Sequence, residues 1–324
     1  MKEDLKGRQE EYGRGDIQLM SRRANGFITK NSEPGRSYRW MDPDTFGWWR
    51  EQNEEAGEEW IYYNSKWNDM ISYVYNEDGF RNEKTLDEIT NEPYGVVFGA
   101  SQIEGIGVPF EWTIAKKLQE KTGHHVYNMG MAGTGMLEVF NNFMNLACNY
   151  NPPKWVLMTT NRPSLCTVAD PNKPGFYMKV GPWIGWFKKY MIGEKTEEFL
   201  DNVLKYYDGR MAVDKHIHED ETYFNIISQM SKKIGTRLVF LESVERPEMK
   251  NVPGLGTEDV DWIEVSEEMP GIFELHDHDF MMKYTRYKEK KLSIAEKNDF
   301  ARDCYHQGEW YNEIAAKRMM ELLS

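Results

Sequence analysis

A three-layer α/β protein, with helices on both faces of a central parallel sheet, is the fold class this chain predicts, and three observations predict it. Short apolar runs of β-forming residues recur at Val96–Phe98, His125–Asn128, Trp155–Thr160 and Thr236–Leu241. Stretches that read as helices, Trp112–Lys121 and Met136–Asn149, separate the first three runs. Strands alternating with helices form parallel sheets covered on both faces. The first run also opens into small residues, Gly99-Ala100-Ser101, where a strand would hand over to a helix.

The elements follow in order. Residues 1–92 read as an N-terminal extension packing on the core. They are polar yet crowded with rings: Trp40, Trp48, Trp49, Trp60, Tyr62, Tyr63, Trp67 and Tyr73. Such rings serve as packing anchors or as a surface for sugars or a partner. Asn76–Arg81 reads as a turn. Residues 93–324 form the main domain. After the first strand, Gly99-Ala100 bends the chain and a glycine-punctuated loop runs through Gly105 and Gly107. The second strand ends in the glycine loop Gly130-Met131-Ala132-Gly133-Thr134-Gly135. The prolines of Asn151-Pro152-Pro153 stop the helix that follows, because proline lacks the amide proton a helix needs. Residues 164–222 have poor periodicity, with Pro171, Pro174, Pro182, Trp183 and Trp186, and read as an insertion folded over the sheet edge, of the kind that forms a lid. Asn225–Lys233 reads as a helix and Trp262–Val265 as a fifth strand. Glu309–Leu323 closes the chain as an amphipathic helix, with Trp310, Ile314, Ala315 and Met319 at helical spacing.

Composition narrows the function. The chain has 324 residues, 40% of them hydrophobic, enough to bury a sizeable core. Its 53 acidic against 40 basic residues give a net charge of −13, which disfavours nucleic acid and anionic membrane as partners. Cys148, Cys166 and Cys304 make no disulfide framework, as in a reducing compartment or a particle indifferent to redox state. No signal peptide and no run of membrane-spanning length is visible, so a cytoplasmic or virion-associated protein is expected.

Ser101 sits just past the carboxyl end of the first strand, where open α/β sheets bind ligands. It is either a turn or cap residue or a nucleophile. A hydroxyl attacks only when a base takes its proton and donors stabilise the resulting oxyanion. Asp303-Cys304-Tyr305-His306, just before the last helix, offers partners. An aspartate three residues before a histidine in a loop can turn back onto the imidazole, fix its tautomer and stabilise the imidazolium.

Other motifs fit less. His216-Ile217-His218 and His276-Asp277-His278-Asp279 carry metal-ligand side chains, and in a strand i and i+2 share a face. No cysteine or third spaced histidine completes a zinc pattern, so solvated surface loops are expected and no metal is assigned. His124 and His125 read as turn residues at a helix–strand junction. The glycines at 130, 133 and 135 do not match the dinucleotide fingerprint, and residues 99–105 lack the lysine of a phosphate loop. Glu104 is expected in a solvated or helix-capping role in its loop.

Four segments taken together resemble the SGNH (GDSL-type) hydrolase superfamily. Gly99-Ala100-Ser101 with Glu104–Val108 is similar to its first block, Asn128–Gly133 to the second, Thr159-Thr160-Asn161-Arg162 to the third, and Asp303–His306 to the fourth. The likeness spans residues 94–162 and 300–323. It implies an SGNH/flavodoxin-like sheet and a Ser101–His306–Asp303 triad. It also implies an oxyanion hole made by the Ser101 and Gly133 backbone amides and the Asn161 side chain. Ala100 departs from the family's aspartate, Thr159 from its glycine and Arg162 from its last aspartate. The resemblance implies a serine esterase removing acetyl or other acyl groups from a small-molecule or carbohydrate ester, without cofactor. The alternative is a non-catalytic binding or structural protein on the same scaffold, such as a virion component. A metal-dependent hydrolase using the histidine-rich loops ranks last.

Overall fold

The structure is a computed structural model. It describes residues 35, 37–38, 71–159, 166–169, 177–180, 201–202, 205, 215–241, 260–265, 301 and 306–324. A short antiparallel ribbon, β1 (Ser37–Tyr38) with β2 (Tyr73–Val74), precedes the main sheet. The main sheet takes β3 (Tyr94–Gly99), β4 (His125–Gly130) and β5 (Trp155–Thr159). A separate antiparallel pair, β6 (Cys166–Ala169) with β7 (Tyr177–Val180), follows within the expected insertion. The sheet is completed by β8 (Arg237–Leu241) and β9 (Asp261–Ile263).

Those five strands are all parallel, in the order β4-β3-β5-β8-β9. The first strand of the sheet therefore lies inside it, and the direction of winding reverses between β3 and β5. That reversal opens a crevice at the carboxyl ends of the two strands, which are Gly99 and Thr159. Every residue of β3 and β5 is buried, as expected of strands covered on both faces.

Alternation along the strands divides the core. Val97, Leu157, Val239 and Leu241 face one side, and Val96, Phe98, Val156, Met158 and Phe240 the other. In chain order the helices are α1 (Leu86–Ile89), α2 (Ser101–Glu104), α3 (Ile114–Thr122), α4 (Met136–Asn149), α5 (Lys215–Ile234) and α6 (Glu309–Leu323). The first face is covered by Ile114 and Leu118 of α3 with Ala315 and Met319 of α6. The second is covered by Val139 and Phe143 of α4 with Phe224 and Ile227 of α5.

Residues 71–92 belong to this core. Ile71, Tyr73 and Tyr75 join the first face, and Phe80, Leu86 and Ile89 the second. The expected turn at Asn76–Arg81 is present, with Asn76 Oδ1 accepting from the Phe80 and Asp78 amides, both at 3.1 Å. Asp78 anchors it to the sheet by accepting from Tyr127 Oη at 2.6 Å and the Leu86 amide at 2.8 Å. Burial first, and then the Asp78 charge, push the Tyr127 hydroxyl well above its ordinary range, so it stays a donor. Of the N-terminal rings, Tyr73 is a core residue; Trp40, Trp48, Trp49, Trp60, Tyr62, Tyr63 and Trp67 lie outside the described residues.

Four sequence expectations are corrected. The loop expected after Ser101 opens instead as a helical turn, α2. The helix expected to begin at Trp112 is split: Phe110–Trp112 is a 3₁₀ turn, and extended Thr113 then caps α3, its hydroxyl accepting from the Lys116 amide at 3.3 Å. Helix α5 begins at Lys215 rather than Asn225, because its polar first turns carry no apolar periodicity. His216 and His218 accordingly lie on a helix rather than in a loop, and the i, i+2 face-sharing of a strand does not apply to them. His276–Asp279 lie outside the described residues. Among the described residues, no helix is long and apolar enough to cross a membrane.

One close approach constrains the sheet. A Cβ on Gly130 would lie 2.8 Å from the Glu104 Cα and nearer still to the Glu104 nitrogen and the Ile103 carbonyl carbon. These are backbone atoms and cannot swing aside. Gly130→Ala is therefore expected to lower the unfolding free energy by about 3 kcal/mol or more, at the upper end of overpacking costs. Urea unfolding followed by circular dichroism measures it.

Candidate active site

The site grows from the end of β3. At Ala100 the backbone (φ −88°, ψ −146°) breaks from the strand, and α2 begins at once on Ser101. The turn is closed by Glu104 N–H to Ala100 O at 3.1 Å and Gly105 N–H to Ser101 O at 3.0 Å. Ser101 thus stands, half-buried, at the mouth of the crevice between β3 and β5.

His306 arrives from the far end of the chain, three residues ahead of α6. That helix is docked on α3 and the 3₁₀ turn before it by apolar packing, by ion pairs of Lys117 and Lys121 with Glu309 and Glu313, and by a side-chain hydrogen bond. Lys117 Nζ meets Glu309 Oε1 at 2.9 Å, and Asn312 Nδ2 donates to the Trp112 carbonyl at 2.8 Å. The His306 carbonyl accepts from the Ala301 amide at 2.9 Å. The ring is buried, 3% exposed, and its Nε2 lies 2.6 Å from Ser101 Oγ. With the ring proton on Nδ1, Nε2 accepts from the hydroxyl, which is the polarity a general base requires.

The glycine loop after β4 forms the next wall. Met131 N–H continues the sheet pairing onto Gly99 O at 3.0 Å, and Thr134 Oγ1 donates to Met131 O at 2.6 Å. Gly135 N–H donates to Glu138 Oε2 at 2.9 Å, which caps α4. Between these ties Gly133 takes φ +69°, a left-handed conformation that favours glycine. Asn161 and Asp303 lie outside the described residues. The Thr159 departure has a local partner: a Cβ on Gly99 would run into the buried Thr159 Oγ1 and Ile103, so the two strand ends fit only with glycine opposite the threonine.

The expectation for Glu104 fails. Its side chain is fully buried, neither solvated nor capping a helix. Oε2 accepts from the Ala132 amide at 2.7 Å, and Oε1 accepts from Tyr75 Oη. Burial, then the Glu104 charge, hold the Tyr75 hydroxyl well above its ordinary range, so it remains protonated. Nearby, Asn128 Nδ2 donates to Ile103 O at 2.9 Å while its Oδ1 accepts from the Gly130 amide at 2.9 Å.

Arg81, 1% exposed, braces the same turn. Nη1 donates to the carbonyls of Glu104 (3.3 Å) and Gly105, and Nη2 to those of Val108 (2.9 Å) and Ser72 (3.0 Å). Its guanidinium stacks on Tyr73 with 4.5 Å to the ring centroid. Nothing local marks Tyr75 or Arg81 as part of the site, since both act across long sequence separations. Among the described residues, no group of three or more His, Cys, Asp or Glu side chains could hold a metal.

No protein-family model matches the chain, and no curated protein matches it. Solved structures do. One is a lipolytic protein of the G-D-S-L family from Veillonella parvula, 12% identical, covering 71% of this chain and 98% of its own, with a TM-score of 0.33. A second is a GDSL-like lipase from Bacteroides thetaiotaomicron, 11% identical over 72% of this chain and 89% of its own, TM-score 0.29. A third is an acetyl xylan esterase from Butyrivibrio proteoclasticus, 9% identical over 72% of this chain and 63% of its own, TM-score 0.36. These are matches of fold, to a chain whose own sheet runs β4-β3-β5-β8-β9 with all strands parallel.

Arg81→Lys is expected to destabilise the protein by about 3–5 kcal/mol. A single ammonium cannot reach carbonyls spread over two segments, and each buried carbonyl left without a donor costs about 1–3 kcal/mol. Denaturant unfolding of the variant, with the slope checked against wild type, measures the loss.

Proposed function

We propose that the protein is a serine hydrolase acting on ester bonds. The single observation behind this reading is the 2.6 Å separation between Ser101 Oγ and a buried His306 Nε2, made by residues 205 positions apart. A hydroxyl and an imidazole at that distance, at the winding reversal of a parallel sheet, form the nucleophile–base pair that acyl transfer requires.

In the proposed reaction His306 Nε2 takes the Ser101 proton as Oγ attacks the ester carbonyl. Asp303 orients the imidazole and stabilises its charged form. The Ser101 and Gly133 amides, with the Asn161 side chain, receive the oxyanion, each such donor worth about 10²–10³ in rate. The tetrahedral intermediate collapses, the alcohol leaves with the proton from His306, and an acyl-serine remains. Water, deprotonated by the same imidazole, attacks it and releases the acid, regenerating Ser101. No step requires a metal or a cofactor. The substrate class we propose is a short acyl ester, acetyl first, on a small molecule or a carbohydrate; the aromatic N-terminal composition supports the sugar.

Ser101→Ala is expected to reduce p-nitrophenyl acetate turnover by at least about 10³-fold, with circular dichroism and melting behaviour unchanged. A fluorophosphonate probe is expected to label the wild-type protein at Ser101 and not the variant. Hydrolysis undiminished in the variant rejects the assignment. A folded wild-type protein inert to both reagents supports a non-catalytic scaffold instead.

A further inference from the structure

We propose that Glu104 is a positioning residue that sets the distance between the Ser101 hydroxyl and the Gly133 amide. The proposal rests on the esterase reading above. Ser101 and Glu104 are the first and last residues of the one-turn helix α2, so the carboxylate is rigidly related to the hydroxyl. Oε2 holds the amide of Ala132, the residue immediately before Gly133, at 2.7 Å. Oε1 is held from the opposite side by Tyr75 Oη. One fully buried side chain therefore joins the turn that carries the nucleophile to the loop expected to carry an oxyanion donor.

The rest of the neighbourhood fixes the Glu104 backbone while leaving this link to the carboxylate. Gly130 passes directly beneath α2, Asn128 Nδ2 holds the Ile103 carbonyl, and Arg81 Nη1 holds the Glu104 carbonyl. Beyond Met131 the loop leaves the sheet, and the bond from Ala132 is the described tie closest to Gly133 on its N-terminal side. A carboxylate accepts from both neighbours without competing for protons, and Tyr75, kept protonated by burial and by the Glu104 charge, is a permanent donor to it. Tyr75 lies ahead of the main sheet in the chain, so the segment that packs beneath the site also sets its geometry.

Geometry and charge make opposite demands on substitution, which separates them. Glu104→Gln keeps the reach and one acceptor oxygen; its amide group can face the Tyr75 hydroxyl, which also accepts. Glu104→Asp keeps the charge but withdraws it by one methylene. With p-nitrophenyl acetate, positioning predicts that Glu104→Gln keeps kcat within about tenfold of wild type. Glu104→Asp should lose about 10²-fold, the scale of one misplaced oxyanion donor, with KM within about threefold in both. Tyr75→Phe, which removes only the hydroxyl, should lower kcat about three- to tenfold at unchanged KM, and tests the same link should the Asp variant not fold. The proposal is overturned if Glu104→Asp is as active as Glu104→Gln or better, if KM rises in step with the loss of kcat, or if Tyr75→Phe turns over at the wild-type rate. A wild-type protein that neither hydrolyses the ester nor takes up the fluorophosphonate overturns the esterase reading itself, and this inference with it.

Discussion

The site depends on how closely one helical turn can lie on the sheet. Helix α2 crosses the end of β4 with its backbone against the Cα of Gly130, at a separation that leaves no room for a methyl group. Close packing of this kind is unforgiving, because backbone atoms cannot rotate away as side chains do. The contact fixes the height of Ser101 above the sheet and aims Glu104 at the loop beyond β4. Asn128 reinforces it, bonding the Ile103 carbonyl above and the Gly130 amide below with one amide side chain.

Around that contact the chain uses polar groups where apolar packing alone would leave the parts free to slide. Arg81, Glu104, Asn128 and Asp78 are all buried, and each bonds two or more partners from separate segments. Buried polar groups destabilise when they lack partners but are highly directional when satisfied. Here they fix angles and distances between segments, and the apolar clusters on the two sheet faces supply the bulk of the burial. The second half of the site arrives just ahead of α6, whose alanines Ala315 and Ala316 are buried in the cluster on the first sheet face, and there His306 meets Ser101.

Much of this architecture was legible in the residues. Continuous runs such as Val96–Phe98 and Trp155–Thr160 announced buried strands, and the apolar spacing of residues 309–323 matched α6 end to end. Ser101 and His306, which the structure brings within 2.6 Å of each other, each lie beside an element boundary that short-range patterns reveal. Glu104 was misjudged for a physical reason. Its immediate neighbours are turn residues, and what buries it comes from Tyr75, Ala132 and Gly130, none of which a local window includes. Arg81 was invisible on the same ground, since an arginine after a turn is ordinarily a surface residue. The start of α5 was missed because polar first turns give no apolar stripe to detect.

The 205-residue separation between Ser101 and His306 also has a consequence in time. During synthesis at about 5–20 residues per second, the hydroxyl emerges some 10–40 s before its imidazole. The nascent chain can pair β3 with β4 and β5 in that interval, before the imidazole is made. Under the proposed esterase reading, a translation intermediate ending before His306 holds the hydroxyl without its base.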